Sequence, residues 1–279
     1  MEIKQVAKRF FKKKTAVFGM ILLVFFLLVA FIGPFFTLYD PYQQDYSAIN
    51  QPSTAEHPLG TDYLGRDTLA RLVYGSRISL GISFFGVLGG ALIGMILGVC
   101  AGYFGKWVDT AISSVLTVIL SFPGLLMAII IITILGESTI NTMIAIMIFN
   151  IPTMARTVRG QTFSLREQEY VQACRVAGAS SLRIIAHHIL PNCLSLIIVN
   201  CTLNFGTAIL TAAGLSFLGL GVQPPTPEWG TMISTARDII RTYPQGVLYP
   251  GIAITLVVMG FSLTGDGLRD ALDPKLKNL

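Results

Sequence analysis

Charge is scarce in this chain. Only 13% of its 279 residues are Asp, Glu, Lys or Arg, against roughly 25% in soluble domains. So few charges exclude a large solvated surface, and with it an ordinary soluble enzyme. Cysteine is rare too. The four present are Cys100, Cys174, Cys193 and Cys201. They form no C-x-x-C pair and no metal-type spacing, and none falls in a segment assigned to the outer side. They read as reduced thiols that pack as small residues. There is no Gly-x-x-x-x-Gly-Lys-Ser/Thr loop, so the chain lacks the cradle that ATP needs. There is no His-Glu-x-x-His. His187 and His188 are adjacent and therefore on different helix faces, and His57 is alone in a loop. Ser79, Ser83, Ser113 and Ser121 have no recognisable paired base, which argues against an intramembrane protease.

What the chain has is apolar length. Hydrophobic residues make up 53% of it, and a bilayer is the solvent that suits them, at about 20 residues per helical span. Six spans are expected: Thr15–Phe36, Leu80–Phe104, Ala111–Leu135, Ile140–Thr157, Ile189–Leu218 and Val247–Leu268. Lys4, Lys8, Arg9, Lys12, Lys13 and Lys14 precede the first run and place the N-terminus in the cytoplasm by the positive-inside rule. The run is too long for a signal-peptide core and reads as a retained span. With that start, fifteen of the 20 basic residues fall inside and five outside. Arg66, Arg71, Arg77, Arg237 and Arg241 are the outer five, while Arg269, Lys275 and Lys277 put the C-terminus inside. The net charge of +5 is thereby explained without nucleic acid.

Polar residues within the spans are few. Asn200 and Asn204 share a helix face at i, i+4 and are the candidates for lining a path. No ionisable residue sits mid-span, which argues against a proton-coupled carrier. Pro123 and Pro152 are expected to kink their helices. The second span carries Gly86, Gly90, Gly94, Gly98 and Gly102, each four residues on. That bare face predicts a close helix–helix seam. Facing lipid, the same glycines would cost about 1 kcal/mol each in helix propensity.

The longest segment of the second half that cannot enter a bilayer runs from Ser164 to Pro191. Ser164-x-x-Glu167 reads as a capping box. A short helix should follow with Tyr170, Ala173, Cys174 and Ala177 on one face, ended by Gly178 in a left-handed conformation. A second helix is expected from about Ser181. A small-residue corner of this kind suits docking against a partner. The alternative is an amphipathic loop on the lipid headgroups.

Gln172-Ala173-Cys174, Gly178 and His188-Ile189-Leu190-Pro191 resemble the cytoplasmic coupling motif of ABC importer permeases, with every spacing kept. Gln172 stands for Glu, Cys174 for Ala and His188 for Ile. Three further stretches are similar to the C-type subunits of dipeptide, oligopeptide and nickel importers. They are HPLGTDYLGRD from His57 to Asp67, LSFLGLGVQPPTPEWG from Leu215 to Gly230, and GDGLRDALDP from Gly265 to Pro274.

The resemblance implies an all-α polytopic membrane protein with six transmembrane helices, the type I ABC importer permease fold and both termini cytoplasmic. Residues 1–78 would form an N-terminal segment with the first span and an outer loop, 79–270 the permease core, and 271–279 a cytoplasmic tail. The implied function is the permease of an ATP-driven importer of peptides or related small solutes, with nickel or metal chelates, opines and glutathione as other cargoes. The implied partners are a homologous second permease, two ABC ATPases and an extracytoplasmic solute-binding protein. ATP and Mg would bind the ATPases, and no cofactor this chain. Glu169, Tyr170, Gln172, Ala173, Cys174, Ala177, Gly178, Leu190 and Pro191 would contact an ATPase. The rival reading is an ion-gradient-driven secondary carrier or channel.

Overall fold

The structure is a computed structural model, and it describes residues 3–272. Asp273, Pro274, Lys275 and Lys277 lie outside the described residues. Eleven α-helices follow in order: α1 (Ile3–Lys12), α2 (Lys14–Phe31), α3 (Thr68–Phe104), α4 (Lys106–Leu120), α5 (Gly124–Leu135), α6 (Thr139–Arg166), α7 (Glu169–Val176), α8 (Ser181–Ile184), α9 (Leu190–Phe217), α10 (Trp229–Ala236) and α11 (Gln245–Leu272). No strand occurs among the described residues, where the one β-type contact is an isolated Thr61–Asp67 bridge.

Four helical segments are long and apolar enough to cross a membrane: α2, α3, α8 continued into α9, and α11. A fifth span exists if the bent pair α4 and α5 is counted as one. The remaining expected span, Ile140–Thr157, falls in α6. It is 28 residues long, but Asn141, Asn150, Pro152 and its terminal arginines dilute its apolar character.

The glycine ladder sets the central packing. A Cβ added at Gly86, Gly90, Gly94, Gly98 or Gly102 would lie 2.5–2.7 Å from Ile146, Asn150, Ile151, Ala155 or Thr162, respectively. Each glycine on α3 thus meets a residue about sixty positions on, so α3 and α6 run parallel along a seam of more than four turns. Close approach of this kind replaces side-chain interdigitation by backbone contact and dispersion. Elsewhere Gly19 touches Leu263 and Gly267 touches Ala16, so α2 and α11 are antiparallel. These pairings gather Lys14, Phe104, Arg166, Leu190 and Leu272 at one end of the bundle. Phe31, Thr68, Ser138, Phe217 and Gln245 gather at the other. Arg166 ties the first end together by donating from Nη1 to the Gly102 carbonyl, 2.9 Å.

Several expected boundaries move. The helix of the second expected span, α3, begins at Thr68, not Leu80, because Asp67 caps it by accepting from the Ala70 amide at 2.6 Å. At 37 residues α3 is about 55 Å long, more than a hydrocarbon core of about 30 Å. Its first turns stand outside the apolar layer, and the 78/79 boundary falls inside it. The first helix ends at Phe31, where Gly33-Pro34 turns the chain. The third expected span is broken at Ser121–Pro123, and its halves meet at 91°. Asn141 closes the next turn by donating to the Leu135 and Gly136 carbonyls. The segment from Gly219 to Gly246 is not a bare loop but carries α10. Trp229 and Glu228 are buried there. The Glu228 carboxylate accepts from the Ser79 hydroxyl (3.0 Å) and the Thr231 amide (2.8 Å). The Trp229 indole donates to the Leu72 carbonyl.

At the end of the bundle where α3 begins, residues 57–71 form a buried knot. Arg66 is 1% exposed. Its Nε donates to Asp62 Oδ2 at 2.7 Å, and Asp62 Oδ1 accepts from the Leu64 and Arg66 amides. Arg71 reaches the same carboxylate at 3.4 Å and donates to the Pro41 carbonyl. His57 meets the other oxygen of the capping Asp67 at 2.8 Å. Thr68 and Tyr243 join α3 to the segment before α11 through their hydroxyls, 2.9 Å. Burial pushes the Tyr243 phenol above its ordinary range. At Gly65 φ is +72°, and a Cβ would overlap the Asp45 carbonyl oxygen.

Candidate functional site

The stretch from Ser164 to Pro191 projects at the Arg166 end of the bundle. Its first expected feature is corrected. Ser164 lies inside α6, and Glu167 is the residue after its last turn, so no capping box forms. The helix runs on because Val158 and Thr162 still have glycines of α3 to pack on. The next helix starts after Gln168, which makes no side-chain cap. The second short helix starts where expected, with the Ser180 hydroxyl accepting from the Arg183 amide.

Gly178 has φ +81°, and a Cβ there would meet nothing within 4 Å. The turn therefore needs glycine for its backbone, not for space. The Ala179 amide donates back to the Cys174 carbonyl and the Gly178 amide to that of Arg175, closing the end of α7. After α8 the helix does not stop. A π-turn, Ile185–Ile189, leads directly into α9. Pro191 explains it, since it lacks the N–H that would bond back and its ring crowds the preceding turn. Any displacement of the corner is thus carried into α9 by continuous helix.

The corner has an inner and an outer face. Val171, Ile184 and Ile189 are buried with Tyr103, Met154, Val158 and Cys193, and Cys174 and Leu190 pack against that cluster. Gln172 is half-buried, and its amide donates to the Arg166 carbonyl at 2.9 Å. These residues anchor the corner to α3 and α6. Glu169, Tyr170, Ala173, Ala177, Gly178 and Pro191 are exposed. So are two apolar residues absent from the expected contact set, Val176 at 90% and Leu182 at 77%. Val176 had a signal in the sequence, being an apolar side chain on the side of α7 away from Val171, whereas Leu182 had none, since its spacing puts it on the face of Ile185 and Ile189. Cys174 Sγ lies 3.6 Å from His188 Nε2, and Tyr170 flanks the same imidazole. Arg175 sits over the Tyr103 ring at 5.6 Å.

Asn200 and Asn204 are half-buried on α9, and the Asn200 amide donates to the Leu196 carbonyl of its own helix. The four cysteines are free. No group of His, Cys, Asp and Glu able to hold a metal occurs among the described residues.

An all-helical bundle with several membrane-length helices and a glycine-hinged corner at one end defines a polytopic membrane protein. The chain belongs to the family of binding-protein-dependent transport system inner membrane components, whose pattern matches residues 76–278. Residues 3–52 match the N-terminal transmembrane domain of oligopeptide transport permease C. It is 49% identical over 275 residues to the dipeptide transport system permease protein DppC of Alkalihalophilus pseudofirmus, covering 99% of this chain and 90% of that one. Identity to the glutathione transport system permease protein GsiD of Pectobacterium atrosepticum is 43% over 272 residues, covering 97% and 90%. The fold is shared with an inward-facing MetNI methionine ABC transporter at TM-score 0.59 and 18% identity, over 73% of this chain and 97% of that one. An amino acid ABC transporter gives 0.55 at 16%, over 70% and 91%. The chain is thus a membrane permease component of an ABC importer, and transport rather than catalysis is its task.

Proposed function

We propose that this chain is one of two homologous permeases of an importer for short peptides, dipeptides first, driven by two cytoplasmic ABC ATPases and fed by an extracytoplasmic solute-binding protein. The cargo rests on the likeness to a dipeptide permease at 49% identity. ATP and Mg are held by the ATPases. In this reading α6 also crosses the membrane, which makes six spans, and both termini and the α7–α8 corner face the cytoplasm.

The observation that carries the mechanism is the corner itself. Its inner residues are fixed in the core while Tyr170, Ala173, Val176, Ala177 and Leu182 stand free. A rigid, partly apolar knob hung on α6 and continuous with α9 transmits motion in a way a loose loop does not. The ATPases grip this knob when they close on ATP and release it after hydrolysis. The permease then alternates between outward and inward openings, because the knob is bound with different free energy in the two states. Glu169 adds charge at the rim, and Gly178 sets the angle. Gln172, Cys174 and Leu190 act from beneath, holding the knob, and Pro191 sets the joint with α9.

The test is ATP-dependent uptake of a labelled dipeptide by the transporter reconstituted with its partner subunits. Uptake that needs the ATPases and the binding protein supports the reading. Uptake driven by an ion gradient with the ATPases absent overturns it.

A further inference from the structure

The exposed surface of α4 is divided. Trp107, Ala111, Val115, Val118 and Phe122 follow one another at three- or four-residue steps, as one face of a helix does, and all are exposed. Beside them Thr110, Ser114, Thr117 and Ser121 make a second exposed line at the same steps. The first line suits lipid. The second is less suited to lipid, because its hydroxyl oxygens keep acceptor capacity that hydrocarbon leaves unmet.

Two arginines of α6 border the second line. Arg159 forms a two-pronged ion pair with Asp109, through Nε at 2.5 Å and Nη2 at 2.6 Å. Arg156 Nη2 points at the Thr117 hydroxyl, 3.4 Å away. Both arginines stand two to three turns in from the Arg166 end of α6, and a charged side chain there turns to water or a polar cavity rather than to lipid. A cleft of about 460 Å³ lies against these groups, lined by Asp109, Thr110, Ser113, Ser114, Thr117 and Arg159. The cleft is shallow and open toward the outside of the bundle.

We infer that the Asp109–Ser121 face of α4, with Arg156 and Arg159 of α6, is a wall of the solute path, and that it takes the main chain of a short zwitterionic peptide. This rests on the importer reading above and deepens it. The hydrogen bonds indicate the ligand chemistry. Thr110, Thr117 and Ser121 donate their protons to carbonyls of their own helix, Lys106, Ser113 and Thr117, and Ser113 donates to Asp109. Their oxygens are left as acceptors along about 17 Å of helix. Peptide N–H groups and an ammonium are what such a line accepts, while Arg156 supplies donors for a carboxylate. The bonds are weak and repeated, as passage requires. Asn200 of α9 shares this property, since its amide donates to its own helix and its oxygen is left as an acceptor.

Single cysteines at Thr117 and Val118 test it, in the complete transporter in inside-out vesicles, over the labelling of the parent chain. The probe is the charged thiol reagent MTSET, which reacts with thiolate. An apolar environment raises a thiol's pKa, and each unit removes about tenfold of its thiolate. Thr117→Cys should label at least about tenfold faster than Val118→Cys, and dialanine should slow it. Equal rates, or a contrast that dialanine leaves unchanged, would overturn the inference. Dialanine uptake by the parent transporter, run alongside, tests the importer reading separately: its loss sinks that reading whatever the labels show.

Discussion

Gly98→Ala isolates the seam between α3 and α6. The new Cβ would lie 2.5 Å from the Ala155 carbonyl oxygen and 2.9 Å from the Val158 Cβ. Ordinary contacts are about 3.5–4.0 Å, so the helices must part by about 1 Å. The obstacle is backbone, which has no rotamer to change, and the gap spreads to the neighbouring glycines. Overpacking costs about 1–3 kcal/mol, and a rigid neighbour puts this site toward the upper end. Alanine returns about 1 kcal/mol of helix propensity. The net loss expected is about 1–2 kcal/mol. Gly81→Ala on the same helix is the control, since a Cβ there meets nothing within 4 Å. It should gain up to about 1 kcal/mol. Thermal unfolding of the detergent-purified transporter reads both. Opposite signs are predicted, and shifts in the same direction would refute the reasoning.

Gly178→Val forces a β-branched residue to φ +81°, at about 1–2 kcal/mol or more. ATP hydrolysis should persist while uptake falls, and Gly178→Asn should keep most of the uptake because Asn tolerates this region. Arg66→Ala removes the buried partner of Asp62 and should destabilise the outer knot by about 3–5 kcal/mol, read as faster proteolysis between residues 37 and 67. Tyr243→Phe leaves Thr68 without its partner and should cost about 1 kcal/mol, measured by the same thermal unfolding. Val176→Asp leaves the fold intact, since the side chain is free, and should weaken co-purification of the ATPase subunits.

Much of the bundle was legible because lipid imposes a simple rule. Long apolar runs must be helices, and the four-residue glycine step on α3 announced a close seam before its partner was known. The partner was not legible, since α6 shows no matching small-residue ladder. It offers backbone carbonyls and the Cβ atoms of Asn150, Met154, Val158 and Thr162 instead. Boundaries failed where polar residues are buried by tertiary contacts. Thr68, Arg71 and Ser79 read as loop but are helix, held by Asp67, Pro41 and Glu228. Ser164 failed because a local capping signal lost to packing on α3. At the corner, the glycine and the second helix start were local backbone signals and could be read. Which residues face inward was not, because Gln172 and Cys174 turn toward α6 and α9 for reasons set by those helices.

The direct measurement is cross-linking from Ala177→Cys in intact cells and in inside-out vesicles. A short bifunctional thiol reagent should join it to an ATPase subunit, with a yield that changes on ATP binding, and an impermeant reagent should reach it only from the cytoplasmic side. Labelling from outside the cell, or no ATPase adduct in a complex that transports, would contradict the claim that this knob carries the work of ATP into the membrane.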